Sequence, residues 1–220
     1  MKTLVITPHP DDETLGCGGT LLRRKAEGGS LAWLMVTAMT EQGGWTAEQV
    51  RAREAEIDRV AGMYPFDSVF RLDFPTTQLD TLPIAEIVGG IAEALKQFQP
   101  NELLIPHPAD VHTDHRVVFD AATACSKWFR HAYVERVLAY ETVSETEFGF
   151  ASGSTFQPNV FVDITNHLER KLEIIGVFAS ELGDFPFPRS LEAIRAKAQV
   201  HGATSGFAAA EAFQLLRERT

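Results

Sequence analysis

Two short polar stretches hold most of the residues in this 220-residue chain that can do chemistry. The first is Pro8-His9-Pro10-Asp11-Asp12-Glu13. The second is Pro106-His107-Pro108-Ala109-Asp110-Val111-His112-Thr113-Asp114-His115. Three of the seven histidines fall between positions 107 and 115, interleaved with Asp110 and Asp114. Imidazole plus carboxylate without thiolate suits zinc or another divalent first-row metal. A catalytic zinc takes three protein ligands and keeps one position open for water. His9, Asp12 and one histidine of the second stretch would supply such a set. The competing reading is a pair of polar surface loops with coincidental histidines.

The segments around these stretches decide between the two readings. Leu4 to Thr7 reads as a buried strand ending at Pro8, and Leu103-Leu104-Ile105 as another stopped by Pro106. Leu31 to Thr37, Ser68 to Leu72, Val137 to Tyr140 and Val160 to Val162 are further strand candidates. Helical periodicity lies between them. Ile84, Ile87, Val88, Ile91, Leu95 and Phe98 share a face, with Thr81 as N-cap and Pro83 in the first turn. Thr46 to Gln49 has capping-box form ahead of Val50, Ile57 and Val60. Val118, Ala121, Cys125 and Trp128 mark another helix, and Leu168, Leu172, Ile175 and Leu182 a further one. Strand–helix alternation predicts an α/β fold: one Rossmann-like domain over residues 1–220, its sheet largely parallel with helices on both faces. Such sheets place their sites at the carboxyl ends of strands. Both polar stretches stand there.

Gly16-Cys17-Gly18-Gly19 invites a reading as a phosphate-binding turn. The full glycine fingerprint is missing, and Asp11, Asp12 and Glu13 just before it would repel phosphate. The glycines are better explained by close packing of the first helix on the sheet, with Cys17 a small buried filler and Glu13 or Thr14 the cap. A net charge of −10 argues against nucleic acid and anionic membrane surfaces, though Arg51 and Arg53 could form a local basic pocket. Apolar stretches are too short to span a membrane. Two cysteines are too few for a disulfide framework, and the run after Met1 is too short for a signal peptide, so a cytoplasmic location is expected.

The stretch Ile6-Thr7-Pro8-His9-Pro10-Asp11-Asp12-Glu13-Thr14-Leu15-Gly16-Cys17-Gly18-Gly19 resembles the first motif of the PIG-L/LmbE-like family of zinc-dependent N-acetylglucosaminyl de-N-acetylases. The stretch from His107 to His115 resembles its second, whose core is His-x-Asp-His. Weaker similarity extends over nearly the whole chain, including Arg51-x-x-Glu54, the loop from Leu72 to Leu79 and the segment from Phe161 to Lys171. The resemblance implies zinc ligands at His9, Asp12 and His115. It implies Asp11 as general base, a cationic His112 for the oxyanion or leaving nitrogen, and Asp114 as the carboxylate orienting His112. Arg51 is a candidate substrate contact, its alternative being an exposed arginine paired with Glu54. His107 and Asp110 are expected to fix their loop, and His131, His167 and His201 to be structural or exposed. The family pattern has a histidine and a Ser-Gln pair where this chain reads Phe178-Ala179-Ser180-Glu181, and an arginine at His201. The implied substrate is a small N-acylated molecule, most readily an N-acetylated sugar. A deacylase of a non-sugar amide, a hydratase of a small acid or a non-catalytic metal- or nucleotide-binding module are the alternatives. The resemblance further implies a homo-oligomer, a trimer or hexamer.

Overall fold

The computed structural model describes residues 1–150 and 155–220. Among the described residues, seven strands form one sheet in the order β3-β2-β1-β4-β5-β7-β6. They are β1 (Lys2–Thr7), β2 (Ser30–Ala38), β3 (Ser68–Pro75), β4 (Glu102–Pro106), β5 (Arg136–Tyr140), β6 (Val160–Asp163) and β7 (Ala210–Glu218). Strands β1 to β5 run parallel to one another, and β7 runs antiparallel to both β5 and β6. The helices are α1 (Asp12–Ala26), α2 (Ala47–Met63), α3 (Ile84–Phe98), α4 (Thr113–Cys125), α5 (Leu168–Ile175) and α6 (Leu191–Ser205).

Strand periodicity explains the two faces. Leu31, Trp33 and Met35 of β2 pack on one side with α1, α2, α5 and α6, while Ala32, Leu34 and Val36 pack on the other with α3 and α4. Both faces are covered over the central strands, so β1, β2 and β4 read as largely continuous apolar runs, while the edge strand β3 alternates. Several elements differ from expectation. Strand β7 and helix α6 carry no clear periodic signature and are additions to the expected set. Leu182 lies beyond α5, and Trp128 lies beyond α4 with 59% exposure, because each helix stops earlier than its apolar spacing suggests. The N-cap of α3 is Pro83, with Thr81 in a preceding turn. The capping box at Thr46 and Gln49 is present.

Helix α1 is broken at Cys17, whose backbone (φ −145°, ψ 18°) leaves the helical region. The adjacent glycines are forced by packing: a Cβ on Gly16 would lie 2.4 Å from the Tyr140 ring and one on Gly19 2.6 Å from Ile164. The break disconnects backbone groups that a continuous helix would pair. Gly19 and Thr20 instead donate their N–H groups to the Glu211 carboxylate at 2.8 and 2.7 Å. The Leu15 carbonyl accepts from Lys171 Nζ at 2.9 Å, and Lys171 binds Glu211 at 2.7 Å. A buried Lys–Glu pair thus bridges the gap and leaves none of these polar groups orphaned.

Removing one member of such a pair leaves an uncompensated buried charge, at a cost of about 3–5 kcal/mol. Lys171→Met is expected to lower the unfolding free energy in urea by that amount. Adding Glu211→Gln should recover part of the loss. Strict additivity of the two single effects would show that they do not act as a unit.

Candidate active site

The loops after β1 and β4 meet at the carboxyl end of the sheet. The first leaves β1 at Pro8, reverses at Asp11 and enters α1. Asp11 has φ 124°, a region that non-glycine residues occupy at a cost of about 1–3 kcal/mol. The turn is held from both sides. The Asp11 N–H donates to Glu13 Oε2 at 3.0 Å, and its carbonyl accepts from the N–H groups of Thr14 and Leu15. Asp11, not Glu13 or Thr14, is therefore the residue at the helix cap. The strained turn places Asp11 on the wall of a cavity, while the adjacent Asp12 is buried and faces the two histidines.

His9, Asp12 and His115 each present one ligand atom within 4.8 Å of the others. Asp12 Oδ2 stands 3.6 Å from His9 Nδ1 and 3.5 Å from His115 Nε2, and also accepts the His9 N–H at 2.9 Å. His115 Nδ1 is taken by Asp110 Oδ2 at 2.8 Å, which leaves Nε2 free to ligate. Burial alone would lower the His115 pKa, yet Asp12 and Asp110 push it up to about 9. A site that holds a proton this tightly between carboxylates offers the electrostatics a divalent cation needs. Two imidazoles and one carboxylate, without thiolate, fit zinc or a similar ion.

Asp110, expected only to fix its loop, sits behind a candidate ligand as an orienting carboxylate, and its other oxygen accepts from Thr146 Oγ1 at 2.7 Å. His107 does fix the loop, accepting from the Ala109 N–H at 3.2 Å and meeting Gln214. Asp114 differs from expectation. Its carboxylate lies 2.9 Å from His9 Nε2 and accepts the N–H groups of Thr77 and Leu79 at 2.7 and 3.1 Å. It thus orients His9, and the hydrogen bond it makes to His112 comes from its backbone. That N–H donates to His112 Nδ1 at 3.1 Å, in the geometry of a helix cap. The surroundings of His112 disfavour the cationic form expected of it. Burial, with His9 and His115 beside it, pulls its pKa down to about 4. With Nδ1 accepting, the neutral ring carries its proton on Nε2, as a hydrogen-bond donor. A second triad of possible ligands, His9, His112 and Asp114, shares His9 with the first.

A cavity of about 210 Å³ opens beside these residues. It is lined by His9, Asp11 and His112, by Met39, Trp45 and Thr76, and by Arg53, Glu145, Glu181 and Arg189. Arg51, expected to contact substrate, is exposed and outside it, while the buried Arg53 lines it. Two steps along an α-helix turn a side chain by roughly 200°, so only one of the two can face the site. The partner weighed for Arg51, Glu54, binds Arg71 at 2.6 Å. His131, His167 and His201 do not line the cavity. Arg189 is an addition to the expected site. It donates from Nη1 to Asp11 Oδ2 at 3.0 Å and from Nε to Ser144 Oγ at 2.7 Å, and it reaches Glu145 and Glu181 at 3.3 Å each. Burial, reinforced by Asp12, raises the Asp11 carboxyl well above the ordinary range, against the pull of Arg189. Nothing local in the sequence flags Arg189 or Glu145. The departure at Ser180-Glu181 is the one signal that points to this wall.

This arrangement, an α/β sheet with a buried His-Asp-His cluster at its carboxyl edge, defines the class of hydrolase to which the comparisons point. Residues 4–126 match the family described as PIG-L, GlcNAc-PI de-N-acetylase, and the chain belongs to it. A diacetylchitobiose deacetylase of Thermococcus kodakarensis is 26% identical over 227 residues, covering 98% of this chain and 83% of the relative. The conserved protein TT1542 of Thermus thermophilus superposes with a TM-score of 0.79 at 29% identity, covering 99% of this chain and 95% of its own. An N,N'-diacetylchitobiose deacetylase of Pyrococcus horikoshii shares the fold with a TM-score of 0.78 at 23% identity, covering 98% and 84%.

Two measurements check this geometry. Asp114→Asn should weaken metal binding roughly ten- to a hundredfold by releasing His9, as loss of an orienting carboxylate does; unchanged affinity in a metal titration would place Asp114 elsewhere. Burial raises the Glu13 carboxyl to about 7 from a usual 4.5. Between those values the folded chain keeps a proton that the unfolded chain releases, so stability falls as pH rises through this window. In metal-free protein, Glu13→Gln should remove that fall, roughly 3 kcal/mol in all. Parallel stability–pH curves for the variant and the parent would show that Glu13 is already ionised.

Proposed function

We propose that this chain is a zinc-dependent hydrolase that removes the acetyl group from the amide nitrogen of an N-acetylated sugar or sugar conjugate. The observation that carries the reading is the convergence of a three-donor metal cluster, a carboxylate with a raised pKa and a neutral imidazole donor on one cavity. His9, Asp12 and His115 would hold the zinc, which when bound supplies a Lewis acid and lowers the pKa of water to about 7. Asp11, with its carboxylate at the cavity wall, accepts the proton of the attacking water. His112 donates its Nε2–H to the developing oxyanion. A neutral imidazole already accepting at Nδ1 has no second proton to give, so the leaving nitrogen receives its proton from Asp11. The raised pKa of Asp11 suits both accepting and returning that proton.

The same cavity speaks against a hydratase of a small acid. Such a substrate needs a free cation for its carboxylate. Among the described residues, Arg53 is engaged by Glu56 and Glu181, and Arg189 by Asp11, Glu145 and Glu181. A mere binding module would have no use for Asp11 and His112 beside the ligands. No helix among the described residues is long and apolar enough to cross a membrane. The buried free thiols of Cys17 and Cys125 support a cytoplasmic location. The homo-oligomer that the family resemblance implies is tested by light scattering.

Acetate release from N-acetylglucosamine and its glycosides, with metal analysis of the same preparations, tests the proposal; about one zinc per chain is expected. Asp11→Asn should keep the metal and lose roughly 10²- to 10⁴-fold in turnover. Asp12→Ala should lose most of the metal. If both variants kept metal and full activity, this loop would not be the catalytic centre.

A further inference from the structure

Among the described residues, Trp45 is the one indole ring lining the active-site cavity, and no step of the proposed chemistry uses it. It is half-buried on the loop that joins β2 to α2. Two caps fix that loop. Thr40 Oγ1 accepts from the Gly43 N–H at 3.1 Å ahead of it, and Gly44, at φ 94°, makes the reversal that presents the indole. Behind it, Thr46 and Gln49 form the reciprocal capping box, at 2.9 and 3.2 Å. The backbone on either side of the indole is thus held, and Met39 adds a second apolar residue to the lining.

Other residues of the lining have the contrary chemistry. Glu145 follows β5, and Glu181 and Arg189 come from the segment ahead of α6. In the order β2-β1-β4-β5 the loops after β2 and β5 are three strand spacings apart, roughly 14 Å. The cavity is thus lined by an aromatic ring from the β2 side, by carboxylate and guanidinium forks from the β5 side, and by Asp11 and His112 from the ends of β1 and β4 between them. The forks are already paired with one another, so they offer acceptors and donors without net demand for a charged ligand. A pyranose ring has the matching asymmetry, an apolar C–H face and an edge of hydroxyl groups. The cavity, at about 210 Å³, is on the scale of one such ring with its acyl group.

We propose that Trp45 is the specificity-determining residue for the sugar: it stacks on the apolar face of the pyranose whose acylated amine points to Asp11 and His112, while Glu145, Glu181 and Arg189 take the hydroxyl edge. This rests on the deacetylase reading and adds to it the ring, rather than the acetamide alone, as the recognised unit. Trp45 binds and does not react, so its loss acts on KM and leaves kcat.

The test uses the metal-loaded enzyme with an N-acetylglucosamine glycoside and with N-acetylethanolamine, an acetamide without a ring. Trp45→Ala should raise KM for the glycoside roughly tenfold, about 1.4 kcal/mol, with kcat within about threefold. Trp45→Phe should restore most of the loss. Activity on the ring-free acetamide, however low, should be the same in all three proteins. A second arm needs no turnover. In metal-free protein carrying Trp128→Phe, a remote exposed position, glucosamine should quench the indole emission saturably, and Trp45→Phe should abolish the quenching. Glycoside hydrolysis with an unchanged KM in Trp45→Ala overturns the proposal, and so does quenching that survives Trp45→Phe. If no sugar is deacetylated, the deacetylase reading fails and the fluorescence arm decides on its own: saturable quenching upholds the sugar platform, and its absence overturns it.

Discussion

Three consecutive carboxylates, Asp11, Asp12 and Glu13, are each at most 3% exposed at the end of the first strand. Burying like charges side by side is among the costliest things a chain can do, and the surrounding structure is shaped by the need to tolerate it. Each carboxylate has a different remedy. Asp12 is set against two imidazoles and the position a cation would take. Asp11 is turned by a strained backbone toward the cavity, where Arg189 meets it. Glu13 folds back onto the Asp11 N–H and the Thr14 hydroxyl, with its pKa raised by burial. All three sit at the amino end of α1, where the helix dipole favours negative charge. The division of labour follows from these remedies: one carboxylate is left for a metal, one for a proton and one for the backbone.

The second loop is the counterpart that makes the first workable. It reaches the site as the beginning of α4, so His112 caps the helix while Asp114 and His115 lie in its first turn. The consequence is that His112 is committed at Nδ1 by the Asp114 backbone N–H, and its electrostatic state is decided by helix geometry as much as by neighbours. Asp114, freed from that duty, ties His9 to the loop of Thr77 and Leu79 across the sheet. A single carboxylate therefore joins the ends of β1, β3 and β4.

Much of this is legible in the sequence, because the parallel part of the sheet consists of buried strands stopped by Pro8 and Pro106. Those prolines mark the points where backbone leaves the ladder, and chemistry-bearing side chains collect there. The antiparallel β7 is not legible. Ala210 to Phe213 is buried throughout and carries the charged Glu211 inside, and helix α6 shows little amphipathicity because it buries the small Ala198 and Gly202 beside Ile194 while Leu191 and Val200 stay exposed. The cavity wall escapes for another reason. Arg189 and Glu145 are brought to Asp11 by long-range folding, and no local spacing records it. Arg51 and Arg53 cannot be ranked from the sequence, since the choice between them depends on which face α2 turns inward. The role of Asp114 is hidden because carboxylate and backbone of the same residue serve different histidines.

The ion pair inside α1 bears on how much of this chain is one thing. Residues 4–126, where the family match lies, contain every candidate ligand and both candidate catalytic groups. Yet the helix that begins at Asp12 is interrupted five residues later, and what spans the interruption comes from Lys171 on α5 and Glu211 on β7. Without them the Gly19 and Thr20 amides and the Leu15 carbonyl would be sealed in an apolar layer with nothing to bond. The portion that holds the chemistry thus leans on residues well outside it. Its first helix is completed by α5 and β7, so a change at Lys171 or Glu211 reaches the helix that carries Asp12 through the backbone.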